Sequence, residues 1–221
     1  MNNELEAWDR TKDLLGNYKT SFSDHWSFNF YNDPKRLAFV LSRYKFAAKM
    51  SCKGGAVLEL GCSEGIGAPI LVENMDSYTG IDYDPPAIAT ANLNLKPPKF
   101  NFGCTDFMNK KFGQFQSIVS LDVIEHILPE YEDDFLKTIL LNLSKNGIVV
   151  IGTPNITSDI YASAASKQGH VNLYSQKRLL ESLGKYFHYT VPFGMNDEIV
   201  HTGYAPMCHY LFVIAFEKKG A

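Results

Sequence analysis

No run of apolar residues in this 221-residue sequence approaches the roughly 20 needed to cross a bilayer, which excludes a membrane-spanning helix. The N-terminus, Met1-Asn2-Asn3-Glu4-Leu5-Glu6, is acidic and lacks the apolar core of a signal peptide, so a cytoplasmic location is expected. Cysteine is scarce. The four cysteines, at 52, 62, 104 and 208, have no metal-ligand spacing, which argues against a thiolate metal site and for reduced thiols. An excess of either charge is missing too. With 21 basic and 24 acidic side chains and a pI near 6.1, the chain has no electrostatic footprint for nucleic acid, and no such partner is expected. Repeats and low-complexity tracts are absent. What is present, 45% hydrophobic residues, suffices for one substantial core in a single compact domain.

The most informative stretch is Ala56-Val57-Leu58-Glu59-Leu60-Gly61-Cys62-Ser63-Glu64-Gly65-Ile66-Gly67. Val57, Leu58 and Leu60 suit a strand buried on both faces, and the glycines beyond it let backbone approach a ligand at the strand's carboxyl end. Taken alone, a glycine turn is a weak signal, since Gly61 and Gly65 could merely turn strand into helix. The layout then recurs. Tyr78-Thr79-Gly80-Ile81-Asp82 is a second strand whose final acid stands about 20 residues after the loop, where a ribose-binding carboxylate belongs. Phe100-Asn101-Phe102-Gly103-Cys104-Thr105-Asp106 reads as a third strand, Ser117-Ile118-Val119-Ser120-Leu121-Asp122 as a fourth and Gly147-Ile148-Val149-Val150-Ile151-Gly152 as a fifth. Helix-like stretches at 64–73, 86–95 and 130–143 separate them. Such alternation specifies a parallel, doubly wound α/β sheet.

With Ser120-Leu121-Asp122-Val123-Ile124-Glu125-His126-Ile127 and Gly152-Thr153-Pro154-Asn155 added, the chain from about Asp33 onward resembles the class I S-adenosylmethionine (SAM) dependent methyltransferases, within them the branch of the ubiquinone-biosynthesis O-methyltransferases. The resemblance implies a Rossmann-like seven-stranded sheet of order 3-2-1-4-5-7-6, with the last strand, near 210–216, antiparallel. It also implies SAM as cofactor, touched by Arg36, Glu59, Gly61, Cys62, Gly65, Asp82, Tyr83, Asp106, Phe107 and Leu121. In that scheme Gly61 and Gly65 line the methionine and ribose, Asp82 bridges the ribose hydroxyls, Asp106 faces the adenine amino group, Leu121 offers its backbone, and Arg36 meets the cofactor's carboxylate or is a solvated helix charge. Ser63 departs from the branch, which usually has glycine there. A small residue still permits close approach.

Two segments outside the strands are candidates for the acceptor pocket. Residues 1–50 are expected to form a helical, aromatic lid segment ahead of a SAM-binding methyltransferase domain at 51–221. In it, Trp26-Ser27-Phe28-Asn29-Phe30-Tyr31 precedes a helix start at Asp33-Pro34, after which Leu37, Val40, Leu41, Tyr44 and Ala48 share a helical face. Trp26 and Phe30 either cover the cofactor cleft or pack on the sheet. The second segment, 153–174, is long for a connection and leads through Gly169-His170-Val171-Asn172-Leu173-Tyr174 to a short helix at 176–183. A further loop, 194–206, carries Asp197, Glu198 and His201 and could be a solvated turn.

A sulfonium already activates its methyl group, so the protein must hold an acceptor in line, exclude water and remove a proton where one must leave. Asp122, Glu125 and His126 follow the fourth strand, and a helix starting at Asp122 would place all three on one face. His170 could join them from the fifth-strand loop. These four are the candidate catalytic residues. Together they resemble the divalent-metal ligands of small-RNA 2′-O-methyltransferases and metal-dependent ubiquinone-branch enzymes, which implies Mg2+ or Mn2+. His170 as a metal-free general base is the alternative, and positioning alone is a third. His25, His188, His201 and His209 read as structural or surface residues.

The resemblance implies O-methylation of a hydroxyl on a small molecule. The lead-in Arg43-Tyr44-Lys45-Phe46-Ala47-Ala48-Lys49-Met50, which resembles that of enzymes from surface-polysaccharide loci, implies a polysaccharide precursor as an acceptor, so the expected partner is a small-molecule or glycan acceptor. A quinone or other aromatic hydroxyl comes next, then an amine. An NAD(P)-dependent oxidoreductase would share the glycine turn and Asp82 but should lack an acid at the third strand and the Asp-Val-Ile-Glu-His turn.

Overall fold

The five parallel strands read from the sequence and the last strand near 210–216 all form, and two further strands complete the sheet. The computed structural model describes residues 2–15 and 19–220, so Met1 of the acidic N-terminal stretch, 16–18 and 221 lie outside the described residues. The strands are β1 (Ala56–Leu60), β2 (Ser77–Asp82), β3 (Phe100–Cys104), β4 (Phe115–Leu121), β5 (Leu143–Pro154), β6 (Phe187–Asn196), β7 (Ile199–His201) and β8 (Tyr210–Lys218). They make one sheet of order β3-β2-β1-β4-β5-β8-β6-β7. β1 to β5 pair in parallel, and β8 lies antiparallel between β5 and β6. The helices are α1 (Asn2–Leu15), α2 (Asp24–Asn32), α3 (Lys35–Met50), α4 (Ala68–Leu71), α5 (Pro85–Asn94), α6 (Glu132–Asn142), α7 (Ala164–Gly169) and α8 (Gln176–Gly184). Among the described residues no helix is long and apolar enough to cross a membrane.

Side chains alternate across a strand with a period of two, and the core divides accordingly. Leu58, Leu60, Ile118, Val149, Ile151 and Val213 pack with Phe135, Leu136 and Ile139 of α6 and Leu179 and Leu183 of α8. Their neighbours Val57, Val119, Val150 and Phe212 pack with Val40, Tyr44, Phe46 and Ala47 of α3 and with Ala68 and Leu71 of α4. Each such side chain contributes about 1.5–3 kcal/mol through burial, and both faces draw on it. α3 starts directly after Asp33-Pro34, and Trp26 joins its cluster at 6% exposure while Phe30 stays exposed. Trp26 is therefore core. Cys52, Cys62, Cys104 and Cys208 are all free thiols.

Four expectations are corrected. The sheet has eight strands rather than seven, because Asp197 adopts a left-handed φ of +50° and folds Ile199–His201 back on β6. The polar loop is thus a hairpin. The helix expected at 64–73 shrinks to α4, since Ser63 and Gly65 also take positive φ, +48° and +70°, and carry the chain through a turn first. The third strand stops at Cys104, leaving Asp106 in the exposed connection beyond it. Asp122 begins no helix: its φ of +57° breaks the path, and a single 3-10 turn, Ile124–His126, follows.

Candidate active site

The carboxyl edge of the sheet carries two sites. At the first, Gly61 has φ +78° and a side chain there would meet Val123 Cγ2 at 2.2 Å, so only glycine fits this exit from β1. In the next bend the Ser63 N–H donates to Asp82 Oδ2 at 2.7 Å, and the Asp84 N–H donates to Oδ1 at 3.0 Å. Each of those oxygens can accept a further donor. Asp82 therefore stands at the end of β2 with capacity left for vicinal hydroxyls. Asp106 is exposed, its Oδ1 accepting the Met108 N–H at 3.0 Å. Tyr83 is exposed, whereas Leu121 is buried and Phe107 packs against Phe135 in the core.

Glu59 and Cys62 lie under the turn with buried side chains. Glu59 is fully buried, with Tyr44 donating to Oε1 at 2.7 Å and Tyr78 to Oε2. Burial raises its carboxyl to about 7, against the two tyrosine hydrogen bonds that lower it. It braces the turn from beneath. The Cys62 thiol is likewise fully buried, and burial, then the nearby Glu59, pushes it well above its ordinary range.

A strap from the N-terminal segment crosses this end. The Ser23 N–H donates to Glu64 Oε2 at 2.8 Å, and Asn94 pairs with both backbone groups of Ser21, at 3.0 and 2.8 Å. α2 continues from the strap, with His25 edge-on to Trp26.

The second site is a cavity of about 570 Å³ beyond the ends of β4 and β5. α3 supplies Arg36 and Arg43, the turn after β4 supplies Asp122, Glu125 and His126, and the loop after β5 supplies Asn155, Ser158, Asp159, Tyr161 and His170; His209 and Tyr210 complete the wall beside β8. Arg43 Nη1 lies 2.8 Å from both Asp122 oxygens, and its guanidinium covers the Tyr210 ring at 3.9 Å. Asp122 is thus taken up by an ion pair. Among the described residues Arg43 Nε, Glu125 Oε1 and Tyr210 OH are buried with no hydrogen-bond partner.

Glu125, His126 and His170 do converge: one ligand atom from each lies within 4.8 Å of the others. Asp122 does not join that group, which corrects the four-residue ligand set. Glu125 is fully buried, and burial together with the charge of Asp122 pushes its carboxyl up to about 8 despite the hydrogen bond from Thr153. His126 Nδ1 lies 2.8 Å from the Gly169 carbonyl, and its ring meets that of His170 edge-on at 5.0 Å. Burial, then the proximity of His126, lowers the basicity of His170. A neutral ring at physiological pH can accept a proton or bind a cation.

Arg36 faces this second cavity, and Gly61, Gly65 and Asp82 are not among its wall residues. Reading the sequence missed Arg43, Thr153 and Tyr210, and took His209 for a residue outside the site. Arg36 and Arg43 are seven apart, two turns on one helical face, which was a usable signal. Tyr210 had none, since its place depends on β8 pairing with β5.

A methyltransferase domain family matches residues 32–190. A probable S-adenosylmethionine-dependent methyltransferase of Mycolicibacterium smegmatis is 27% identical over 104 residues, 47% of this chain and 40% of that protein. The carboxy-S-adenosyl-L-methionine synthase of Helicobacter pylori is 29% identical over 160 residues, 65% of this chain and 63% of that protein. The chain thus spans less than two thirds of either relative. The crystal structure of the N-methyltransferase NodS from Bradyrhizobium japonicum with S-adenosyl-L-homocysteine (SAH) shares the fold at a TM-score of 0.63 and 18% identity, covering 84% of this chain and 92% of that one.

Proposed function

The chain belongs to the methyltransferase domain family, and on that premise we propose that it transfers the methyl group of SAM to a hydroxyl of a hydrophilic small molecule or surface-polysaccharide precursor. The observation that carries the acceptor reading is the His170 ring, held neutral beside Glu125 and His126 in a cavity wall. A hydroxyl must shed its proton as it attacks, and a neutral imidazole within reach is the group suited to take it. Arg36, Ser158, Asp159 and His209 offer polar contacts in that wall beside Phe39, Leu173 and the Tyr161 ring, a mixed lining that accommodates a hydroxylated acceptor. The dehydrogenase alternative falls with the family assignment and the antiparallel β8.

The residues present fit SAM. Asp82 keeps acceptor capacity that would suit ribose hydroxyls, Gly61 and Gly65 would admit the methionine and ribose along bare backbone, and the exposed Asp106 and Tyr83 would be free to meet the adenine. Leu121 would present its backbone, and Arg36 would reach the carboxylate only if that group extended into the second cavity, whose wall it joins. Phe107 contributes through its backbone because its ring is in the core. Glu59 and Cys62 support the turn from below. SAM supplies an electrophilic methyl group, so the side chains have only to orient the acceptor, exclude water and take one proton. The strap at Ser21 and Ser23 with α2 serves as the lid that excludes water.

The same cluster fits a divalent cation. Glu125 Oε1, His126 Nε2 and a His170 nitrogen would hold Mg2+ or Mn2+, with His126 oriented by its Nδ1 contact to a carbonyl, as metal-binding histidines usually are. Such an ion would acidify the acceptor hydroxyl.

Calorimetry with SAH and with NADH tests the cofactor. SAH binding without NADH binding is expected, and the reverse would overturn the proposal. Methyl transfer from labelled SAM to sugars, aromatic hydroxyls and amines then identifies the acceptor. Loss of activity with chelator, restored by Mg2+ or Mn2+, would assign the cluster to metal; insensitivity would leave His170 as the base.

A further inference from the structure

The segment that carries His170 has no regular structure between α7 and α8, yet anchors hold it on every side. The N–H groups of Val171 and Asn172 both donate to the Glu125 carbonyl, at 2.9 and 3.0 Å, and the Tyr174 carbonyl accepts the Ile156 N–H at 2.8 Å where the chain leaves β5. The remaining hold comes from α6. Glu132, buried at 8% exposure, accepts at Oε2 from Tyr174 OH at 2.6 Å, Arg178 Nη2 at 2.7 Å and Asn172 Nδ2 at 3.3 Å, and at Oε1 from Ser182 Oγ at 2.5 Å. Arg178 Nη1 also donates to the Leu173 carbonyl at 2.7 Å, and its guanidinium covers the Tyr174 ring at 4.2 Å. One carboxylate therefore gathers the side chains on both sides of Leu173 and ties them to α8.

If the only need were to fill space, an apolar side chain would do it without the cost of burying a charge. Charge-assisted hydrogen bonds are shorter and more directional than apolar contacts, so a carboxylate with four donors fixes geometry as well as proximity. We propose that Glu132 is the positioning residue for His170, its ionised carboxylate setting the 169–174 arc so that the His170 ring meets His126 and faces the cavity. The consequence for turnover rests on the reading of His170 given above, whereas the placement itself does not. Burial works to raise the Glu132 carboxyl, but hydrogen bonds from Ser182, Tyr174 and Asn172 and the charge of Arg178 outweigh it and leave the group below its ordinary value. It is anionic at neutral pH.

The test is Glu132→Gln in the full chain, with histidine rings isotopically labelled and proton–proton cross-peaks recorded by NMR. The substitution keeps the shape and removes the charge, so the charge-assisted hydrogen bonds from Arg178, Tyr174 and Asn172 to this side chain weaken. Wild type should show a cross-peak between the His126 and His170 rings, and Glu132→Gln should lose it while SAH affinity, measured by calorimetry, stays the same. A merely stabilising role would lower Tm and leave the cross-peak intact. A cross-peak that persists in folded Glu132→Gln, or is missing from wild type, overturns the proposal. Failure of wild type to bind SAH would sink the methyltransferase reading and leave the cross-peak to decide the placement. If Glu132→Gln does not fold, Tyr174→Phe removes one donor and keeps the carboxylate: a weakened cross-peak supports the proposal and an unchanged one overturns it.

Discussion

At the carboxyl ends of β1 and β2 the chain is shaped by its backbone, whereas beyond β4 and β5 it is shaped by side chains. The first region turns through left-handed residues at Gly61, Ser63 and Gly65 around one carboxylate that accepts two main-chain N–H groups. The second assembles an ion pair, a guanidinium stacked on tyrosine, two edge-on histidines and a buried glutamate, with three buried polar atoms that find no partner among the described residues. A backbone-shaped site can be built in few ways. It suits a ligand that does not change, and a site drawn from distant side chains is free to follow its acceptor.

The largest effects should separate the two regions. His170→Ala should lower turnover of the identified acceptor by roughly 10² or more and leave SAH affinity alone. Asp82→Ala should weaken SAH binding by about 1.5–3 kcal/mol, the range for hydrogen bonds to a charged group. Kinetics and calorimetry on both variants check this, and equal losses in both measurements from either variant would break the division.

Gly61→Ala comes next. A side chain at φ +78° costs about 1–3 kcal/mol, and Val123 must also move from the 2.2 Å approach. Thermal unfolding should show a fall of roughly 2–4 °C for each kcal/mol at this chain length. An unchanged Tm with unchanged SAH affinity would mean the turn is not held by its backbone.

The smallest effects are opposite slopes with pH. Glu59, raised from 4.5 to about 7, gives its full stability below its unfolded value and loses it as pH climbs toward about 7. Glu132, lowered in the fold, contributes above its unfolded value and loses that contribution as pH falls through the lower folded one. Tm recorded from about pH 3 to about pH 8 should lose its neutral-side slope of a few degrees in Glu59→Gln and its acid-side slope in Glu132→Gln. Identical profiles in wild type and both variants would refute the two assignments.

Much of the first region was legible in the sequence because local rules wrote it there. Apolar runs ending in Gly61 and Asp82 reflect strand burial and close backbone approach, and both requirements act within a few residues. The second region was legible only in its cast. Glu125, His126 and His170 were found, but Asp122 was assigned to them on the assumption of a helix that its own left-handed backbone prevents. Its partner, Arg43, is 79 residues away. The extra strand, Ile199–His201, was hidden because its hairpin depends on one residue adopting a positive φ.

By itself, then, the sequence determined the alternating α/β sheet, the glycine turn with its acid on the next strand, and the residues available for chemistry beyond β4 and β5, since periodicity and turn preferences are local properties. Only the tertiary structure decided that Glu59 is sealed between two tyrosines, that Arg43 claims Asp122, that Tyr210 floors the cavity and that Glu132 braces the His170 arc. Each of those contacts joins elements far apart in the chain, and the free energy that selects them comes from burial and hydrogen-bond satisfaction in the assembled core.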